Sequence, residues 1–219
     1  MPTSPVPRLI LGLPMLRGEF PGFDSAAAPA EPFALFLAWL AEAVATGVRE
    51  PHAMTLATVD PEGCPDLRVV ALRDAGEGGW TFATGAHSAK ALQLAAQPQG
   101  ALGFHWREQG RQIRLRGPVR REDAATAAVD FLARPPASRA ASLMGHQSEP
   151  LADRALLPAA FAAAEARIAE EPELVDPEHA LFTLRPESVE FWQGDPGRGH
   201  TRLLYRRTPT AWTRTLLWP

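Results

Sequence analysis

The run RQIRLRGPVRR, residues 111–121, alternates regularly enough to limit what the chain can become. A period of two sets Gln112, Arg114 and Arg116 on one face and Ile113, Leu115 and Val119 on the other, so the strand needs a covered apolar side and a polar outer side. ALGFHWRE precedes it, and the two read as a hairpin about Gln109 and Gly110. AMTLATVD and LRVVALRD, joined by PEGCPD, form an earlier hairpin, with GWTFAT as a third strand. Strand candidates return at the end: ALFTLRP to VEFWQG, then RLLYRR, then AWTRTLL. Helices are inserted between the two strand groups and no βαβ alternation supports a parallel sheet. The pattern predicts an α+β fold around an antiparallel barrel.

From Pro32, the residues Phe33, Phe36, Leu37, Leu40 and Val44 recur at the spacing of an amphipathic helix, which Gly47 ends. SAKALQLAAQ is helical by propensity, begins with an N-cap at Ser88 and stops before Pro98. Further helices are predicted at about 122–133, 136–144 and 157–170. Residues 1–30 are rich in Pro, Gly and Ala without a sustained period, and read as a flexible N-terminal arm ahead of one domain over 31–219.

A chain of 219 residues with 46% apolar and 21% charged residues suits a single folded domain with one core. Its net charge of −3 creates no global field favouring nucleic acid or an anionic membrane, so any anion binding must be local. The apolar stretch at Leu9 to Leu13 is broken by Gly12 and falls short of the roughly 20 residues of a membrane span; it also lacks the flanks of a signal peptide. Cys64 is alone and cannot form an internal disulfide, which fits a reducing cytoplasm. No Cys/His cluster has metal-ligand spacing, so no metal is expected. Neither GxGxxG nor GxxxxGK[ST] occurs where a nucleotide fold needs it, and no GxSxG elbow or Cys-His pairing suggests a hydrolase.

Three places carry chemistry. In TGAHSAK, residues 84–90, a strand end turns into a helix whose first turn has free N–H groups, and the hydroxyls of Thr84 and Ser88 with the Lys90 ammonium can complete a phosphate cradle. Read alone, the same segment is also a capped surface helix with a solvated lysine. Arg68 and Arg73 frame the run VVAL; five positions apart, they point to opposite faces of a regular strand or flank a bulge. Finally, EFWQGDPGRGHTR gathers Trp192, Arg198, His200 and Arg202 about a Gly/Pro turn, where a ring, two guanidinium groups and an imidazole can meet an anionic planar ligand. A hairpin with a core Trp and solvated arginines fits that segment equally. His52, His87, His105 and His179 are scattered and read as surface or structural residues.

Taken in order, RVVALR, FATGAHSAK, RQI, FLARPPAS, HQSE, VEFWQG and RGHTR resemble the pyridoxamine 5′-phosphate oxidase family of dimeric, FMN-binding split β-barrels. The resemblance runs from about residue 30 to 219. It implies an FMN-dependent oxidase that transfers a hydride from a small anionic nitrogen-containing substrate to the flavin, with dioxygen as final acceptor and hydrogen peroxide as product. It further implies that Arg68, Ser88 and Lys90 hold the FMN phosphate. Val69, Val70, Ala71, Leu72 and Arg73 run along the flavin, Ala83 and Thr84 lie on the adjoining strand, and Gln112 contacts the ring. Gln147, Ser148, Trp192 and Arg202 complete the cofactor site, largely from the partner subunit of a homodimer. Substrate contacts fall on Arg73, Asp130, Arg134, Ser138, Arg198 and His200, with Arg198 and His200 orienting the substrate over the flavin.

Three positions depart from the family pattern. Arg73 replaces a lysine, Ala89 replaces an arginine, and Asp130 replaces a tyrosine that helps hold the substrate phosphate. A carboxylate at that last position repels a phosphate unless Arg73 or Arg134 neutralises it. GVREPHAMTLATVD, HWRE and HQSEPLAD resemble the phenazine-biosynthesis branch, which implies a carboxylated, partly reduced N-heterocycle as substrate. Pyridoxine or pyridoxamine 5′-phosphate oxidation is the alternative. A split barrel that binds flavin or heme without turnover is the alternative from another class.

Overall fold

The computed structural model describes residues 6–219, leaving residues 1–5 of the expected arm outside the described part, with the side chains of Pro7 and Arg8. Within it, the strands are β1 (Ala53–Val59), β2 (Pro65–Gly76), β3 (Gly79–Gly85), β4 (Gln99–Trp106), β5 (Arg111–Arg121), β6 (His179–Leu184), β7 (Ser188–Gln193), β8 (Thr201–Arg207) and β9 (Trp212–Leu217). The helices are α1 (Val6–Ile10), α2 (Pro32–Ala45), α3 (Ala89–Ala96), α4 (Ala124–Leu132), α5 (Pro136–Leu143) and α6 (Leu157–Glu170). All strand pairings are antiparallel. Strands β1, β2, β3, β6, β5 and β4 close on themselves, and β7, β8 and β9 extend the sheet away from β5.

The fork lies within β5. Its first half pairs with β7 from Arg111 to Arg116, and its last residues pair with β6 from Val119 to Arg121. By pattern alone ALFTLRP to VEFWQG is one strand candidate; the chain instead breaks at Arg185–Glu187 into β6 and β7, which take the two sides of the fork. The break is fastened to β5 by Arg185 N–H to Pro118 O, 2.8 Å, and Glu187 N–H to Arg116 O, 2.8 Å. Between these bonds a Cβ on Gly117 would stand 2.2 Å from the Arg185 carbonyl oxygen and 2.9 Å from the Glu187 nitrogen. Backbone occupies that space and cannot move aside without breaking the fork. A Gly117→Ala variant is expected to lose about 1–3 kcal/mol of stability in chemical denaturation, as overpacked sites do; wild-type stability would refute this account of the fork.

The alternation predicted for β5 is what the strand shows: Ile113, Leu115 and Val119 are buried, while Arg114 and Arg116 are exposed. Leu56, Phe82, Phe104, Leu184, Val189 and Phe191 join them in one core. α2 forms where its spacing predicts, but its inward face differs. Leu35, Phe36, Trp39 and Ala43 are buried, whereas Leu37 and Val44 are exposed. Edge contacts at 5.2 Å with Trp80 and Phe191 fix Phe36 and Trp39 inward. Two large rings bury more area than the branched aliphatics, so the helix is rotated toward them.

Residues expected to belong to the arm also pack. Ala28 lies in the core, Phe23 meets Trp39 edge-on at 5.0 Å, and the Tyr205 hydroxyl donates to Pro29 O at 2.8 Å. The packed body therefore begins before residue 31, because Phe23 and Ala28 have apolar surface to bury there. Leu9, Leu11, Leu13 and Met15 remain exposed. α5 and α6 form a helical hairpin beside the barrel, joined through Ala140, Ala164 and Ile168. Among the described residues no helix is long and apolar enough to cross a membrane, and no group of three or more His, Cys, Asp or Glu is placed to hold a metal ion.

Candidate active site

The turn from β3 into α3 is held by its own side chains. Ser88 caps α3, its hydroxyl accepting from Ala91 N–H at 3.4 Å, and it lies 2.9 Å from the Thr84 hydroxyl. The Lys90 ammonium donates to Thr84 Oγ1 at 3.1 Å and has no carboxylate within ion-pair distance. Burial lowers its pKa, and the nearby Arg68 charge adds to the fall against a smaller opposing pull from Asp66. Arg68 points into the same end of the barrel, where Thr58, Asp66 and Gln93 hold its guanidinium. Two cations thus lie beside α3, Lys90 in its first turn and Arg68 against Gln93, with a single carboxylate, Asp66, bonded to Arg68. That arrangement fits the phosphate of a mononucleotide, whose dianion relieves the repulsion and accepts from the free donors. A Cβ on Gly85 would meet Gln147 Oε1 at 3.0 Å, so the glycine lets the amide close over the cradle.

Gln147 Oε1 accepts from Gly85 N–H at 3.0 Å and from Thr84 Oγ1 at 3.2 Å, and Ser148 Oγ accepts from Ala89 N–H at 3.4 Å. These two residues were expected mainly from a partner subunit. Instead the segment after α5 returns them to the cradle of their own chain, with His146 and Ser148 in left-handed backbone conformations at the bend.

The run 69–73 on β2 has two faces. Val70 and Leu72 pack toward the core, while Val69, 68% exposed, and Ala71 point outward with Leu67. Arg73 follows Val69 and Ala71 outward by the period of two, whereas Arg68 has the parity of Val70 and Leu72, so Arg68 and Arg73 do serve different sides; a bulge follows between Leu72 and Asp74. On the same outer surface the rows continue through β1 and β4 to β5, β7 and β8. His105 pairs with Gln112, Gln112 with Trp192, and Trp192 with Arg202. Gln112, Trp192 and Arg202 are therefore three, four and five strands from β2, about 14, 19 and 24 Å along the sheet. One chain does not bring them to its own cradle. Arg202 is anchored by Glu190 Oε1 at 2.9 Å and by Trp218 O at 2.9 Å, and Glu190 also pairs with Arg114. Burial resists ionisation of Glu190, but the two arginines outweigh it and hold its pKa below the usual value.

Beyond Trp192 the chain makes the turn 195–200. Arg198 N–H donates to Asp195 O at 3.0 Å, Gly197 N–H to Asp195 Oδ1 at 2.7 Å, and Asp195 N–H to His200 Nδ1 at 3.0 Å. Because His200 Nδ1 accepts, the neutral ring carries its proton on Nε2. The ring rests on Trp192 with centroids 4.9 Å apart. The side chain of Arg198 makes no hydrogen bond or ion pair. One turn thus carries both a ring with a donor N–H and a guanidinium without a hydrogen bond or ion pair.

A second charged group near the cradle includes His179, a surface or structural residue by its sequence context. Arg73 Nε donates to Asp130 Oδ1 at 2.8 Å, and His179 Nε2 lies 2.8 Å from Asp130 Oδ2. His179 Nδ1 is 3.4 Å from Arg134 Nη1, which also donates to Ser142 Oγ at 2.7 Å. Arg134 and His179 share a cavity of about 440 Å³ with Thr84, Ser88 and Gln147. Ser138 stands half-buried in the first turn of α5, without a side-chain hydrogen bond. The role of His179 has no local signal, since its partners lie 45 and 49 residues away.

Residues 40–193 match the family model described as pyridoxamine 5′-phosphate oxidase, and residues 180–219 match the pyridoxine 5′-phosphate oxidase C-terminal dimerisation region. A pyridoxine/pyridoxamine 5′-phosphate oxidase of Azorhizobium caulinodans is 39% identical over 208 residues, 94% of this chain and 95% of that protein. PhzG from Burkholderia lata 383, solved in complex with tetrahydrophenazine-1-carboxylic acid, superposes with a TM-score of 0.86 at 31% identity, covering 92% of this chain and 100% of that one. A pyridoxamine 5′-phosphate oxidase-related, FMN-binding protein of Nostoc punctiforme shares the fold, with a TM-score of 0.70 at 23% identity over 86% of this chain and 98% of that one. These matches span nearly the whole folded chain, and the chain belongs to the FMN-binding pyridoxamine 5′-phosphate oxidase family of oxidoreductases.

Proposed function

We propose that the protein is a homodimeric FMN-dependent oxidase of a small, carboxylated, partly reduced N-heterocycle of the phenazine type, with dioxygen as final electron acceptor. The observation that carries the two-chain site is the separation of its parts: Arg68, Ser88 and Lys90 in the buried cradle beside β2 and α3, and Gln112, Trp192 and Arg202 on the outer face three to five strands from β2. A two-fold operation across that face lays the second group of one chain over the first group of its partner. It also covers Leu67 and Val69, which are 69% and 68% exposed in the single chain.

Bound FMN supplies the two-electron acceptor and the link to dioxygen. The chain supplies position and charge. Arg68, Lys90, Ser88 and the α3 terminus hold the phosphate, while Val69 and Ala71 offer the ring an apolar shelf. Arg198 and His200 orient the substrate, the latter through its Nε2–H. Arg73 and Arg134 receive its anionic group.

The carboxylated substrate is favoured by Asp130, whose carboxylate is tied to Arg73 and leaves less positive charge for a phosphate. A likeness to a protein that binds a tetrahydrophenazine carboxylate supports the same reading. Pyridoxine or pyridoxamine 5′-phosphate oxidation is the second reading, favoured by relatives of that name at 39–43% identity. Anaerobic mixing of the holoenzyme with each class separates them. A dihydro- or tetrahydrophenazine carboxylate is expected to bleach the flavin absorbance, with peroxide released on admitting air. Rapid bleaching by pyridoxine 5′-phosphate and not by the heterocycle would transfer the assignment, and bleaching by neither would remove both.

A further inference from the structure

Four side chains from three regions of the chain form one hydrogen-bonded line: Arg73 on β2, Asp130 on α4, His179 at the start of β6, and Arg134 after α4. Arg73 is held only through Nε, so both its Nη groups are without hydrogen bonds; Arg134 is held only through Nη1. Each guanidinium is therefore fixed along one edge and open along another, the geometry that accepts a planar carboxylate through two N–H groups.

The tautomer of the connecting ring follows from its neighbours. Arg134 can only donate, so His179 Nδ1 is the acceptor and Nε2 carries the proton that Asp130 receives. The His179 side chain is only 2% exposed. The Asp130 carboxylate lies between the two guanidinium groups and offsets part of their positive charge. Burial opposes ionisation of Asp130, yet the hydrogen bonds from His179 and Arg73 prevail and hold its pKa below the ordinary value. Asp176 acts on Arg134 at longer range with the same sign as Asp130.

We propose that the Asp130–His179 pair sets the charge of the substrate-anion subsite, holding the open edges of Arg73 and Arg134 for a monoanionic planar carboxylate and against a phosphate dianion. His179 is a positioning residue: it acts through Asp130 and Arg134 and touches no reacting atom. The inference rests on the reading that Arg73 and Arg134 receive the substrate's anion.

The test compares two probes, phenazine-1-carboxylate and pyridoxal 5′-phosphate, binding to oxidised holoenzyme and followed by perturbation of the flavin absorbance. Asp130→Asn removes the negative charge with almost no change of shape, and His179→Phe removes the bridge while keeping bulk. Retained flavin absorbance reports that each variant is folded. Each substitution is expected to shift the ratio of the two Kd values toward the phosphate, about ten- to a hundredfold for the charge removed by Asp130→Asn. The double variant should shift the ratio by about as much as the larger single change, since the two residues act as one unit. Parallel weakening of both probes, with the ratio unchanged, would mean a purely structural pair and overturn the proposal. Failure of the underlying reading has another signature: Arg73→Met and Arg134→Met would leave both Kd values at wild type.

Discussion

A chain carrying Lys90→Met and Arg68→Ala is expected to be isolated folded and colourless. Lys90 is buried without a carboxylate partner, so methionine keeps most of its packing and removes a charge that burial already disfavours. Its absence is felt when the cofactor phosphate arrives. Each lost charge-assisted hydrogen bond is worth about 1.5–3 kcal/mol, so the pair should weaken FMN binding by about 10² to 10⁴-fold. Quenching of FMN fluorescence on titration measures this, and affinity within about threefold of wild type would show that the phosphate is held elsewhere. The same group sets an alkaline limit. A phosphate dianion beside Lys90 raises the lysine's pKa in the complex, so binding is full below the pKa of the free protein and weakens as pH rises through it. Because burial and Arg68 depress that pKa, the loss should begin at lower pH than an exposed lysine would produce, and Lys90→Met should remove the dependence.

Two inactive variants should restore each other when paired. One carries Lys90→Met with Arg68→Ala; the other carries Arg198→Ala with His200→Ala on the turn after Trp192. If every site takes its cradle from one chain and its turn from the partner, a mixed dimer has one intact site and one that lacks both parts. Random re-pairing puts half of the chains into mixed dimers, so activity should return to about a quarter of wild type, although each variant alone falls by about 10²-fold or more. Oxygen consumption with the accepted substrate reads the outcome. No recovery in dimers shown to be mixed would mean that each site is built within one chain, and the separation across the outer face would then need another explanation.

The parts of this molecule that were legible in its sequence are those whose physics is local. Ser88 caps α3 because its hydroxyl needs only the N–H of a residue three positions on. Ile113 and Leu115 go inward and Arg114 outward because the pleat enforces a period of two whatever surrounds the strand. The order of short motifs was enough to indicate the family and the cofactor. Spacing along α2 named a helix but not its inward face, since Phe36 and Trp39 prevail over Leu37 and Val44 only when Trp80 and Phe191 are there to meet them. The sequence could likewise mark Asp130 as a repulsive departure without revealing that His179, 49 positions away, bonds to its other oxygen.

The sequence by itself therefore determined most of the elements, the capped turn from β3 into α3 and the membership of an FMN-binding family, because capping and alternation act over a few residues. Tertiary structure alone decided that Gly117 must lack a side chain, that Gln147 closes its own chain's cradle, and that Gln112, Trp192 and Arg202 stand strands away from it. It also joined Asp130 to His179 and both to two arginines. Those facts depend on contacts between residues tens of positions apart, which closure of the barrel brings together and which no local pattern encodes.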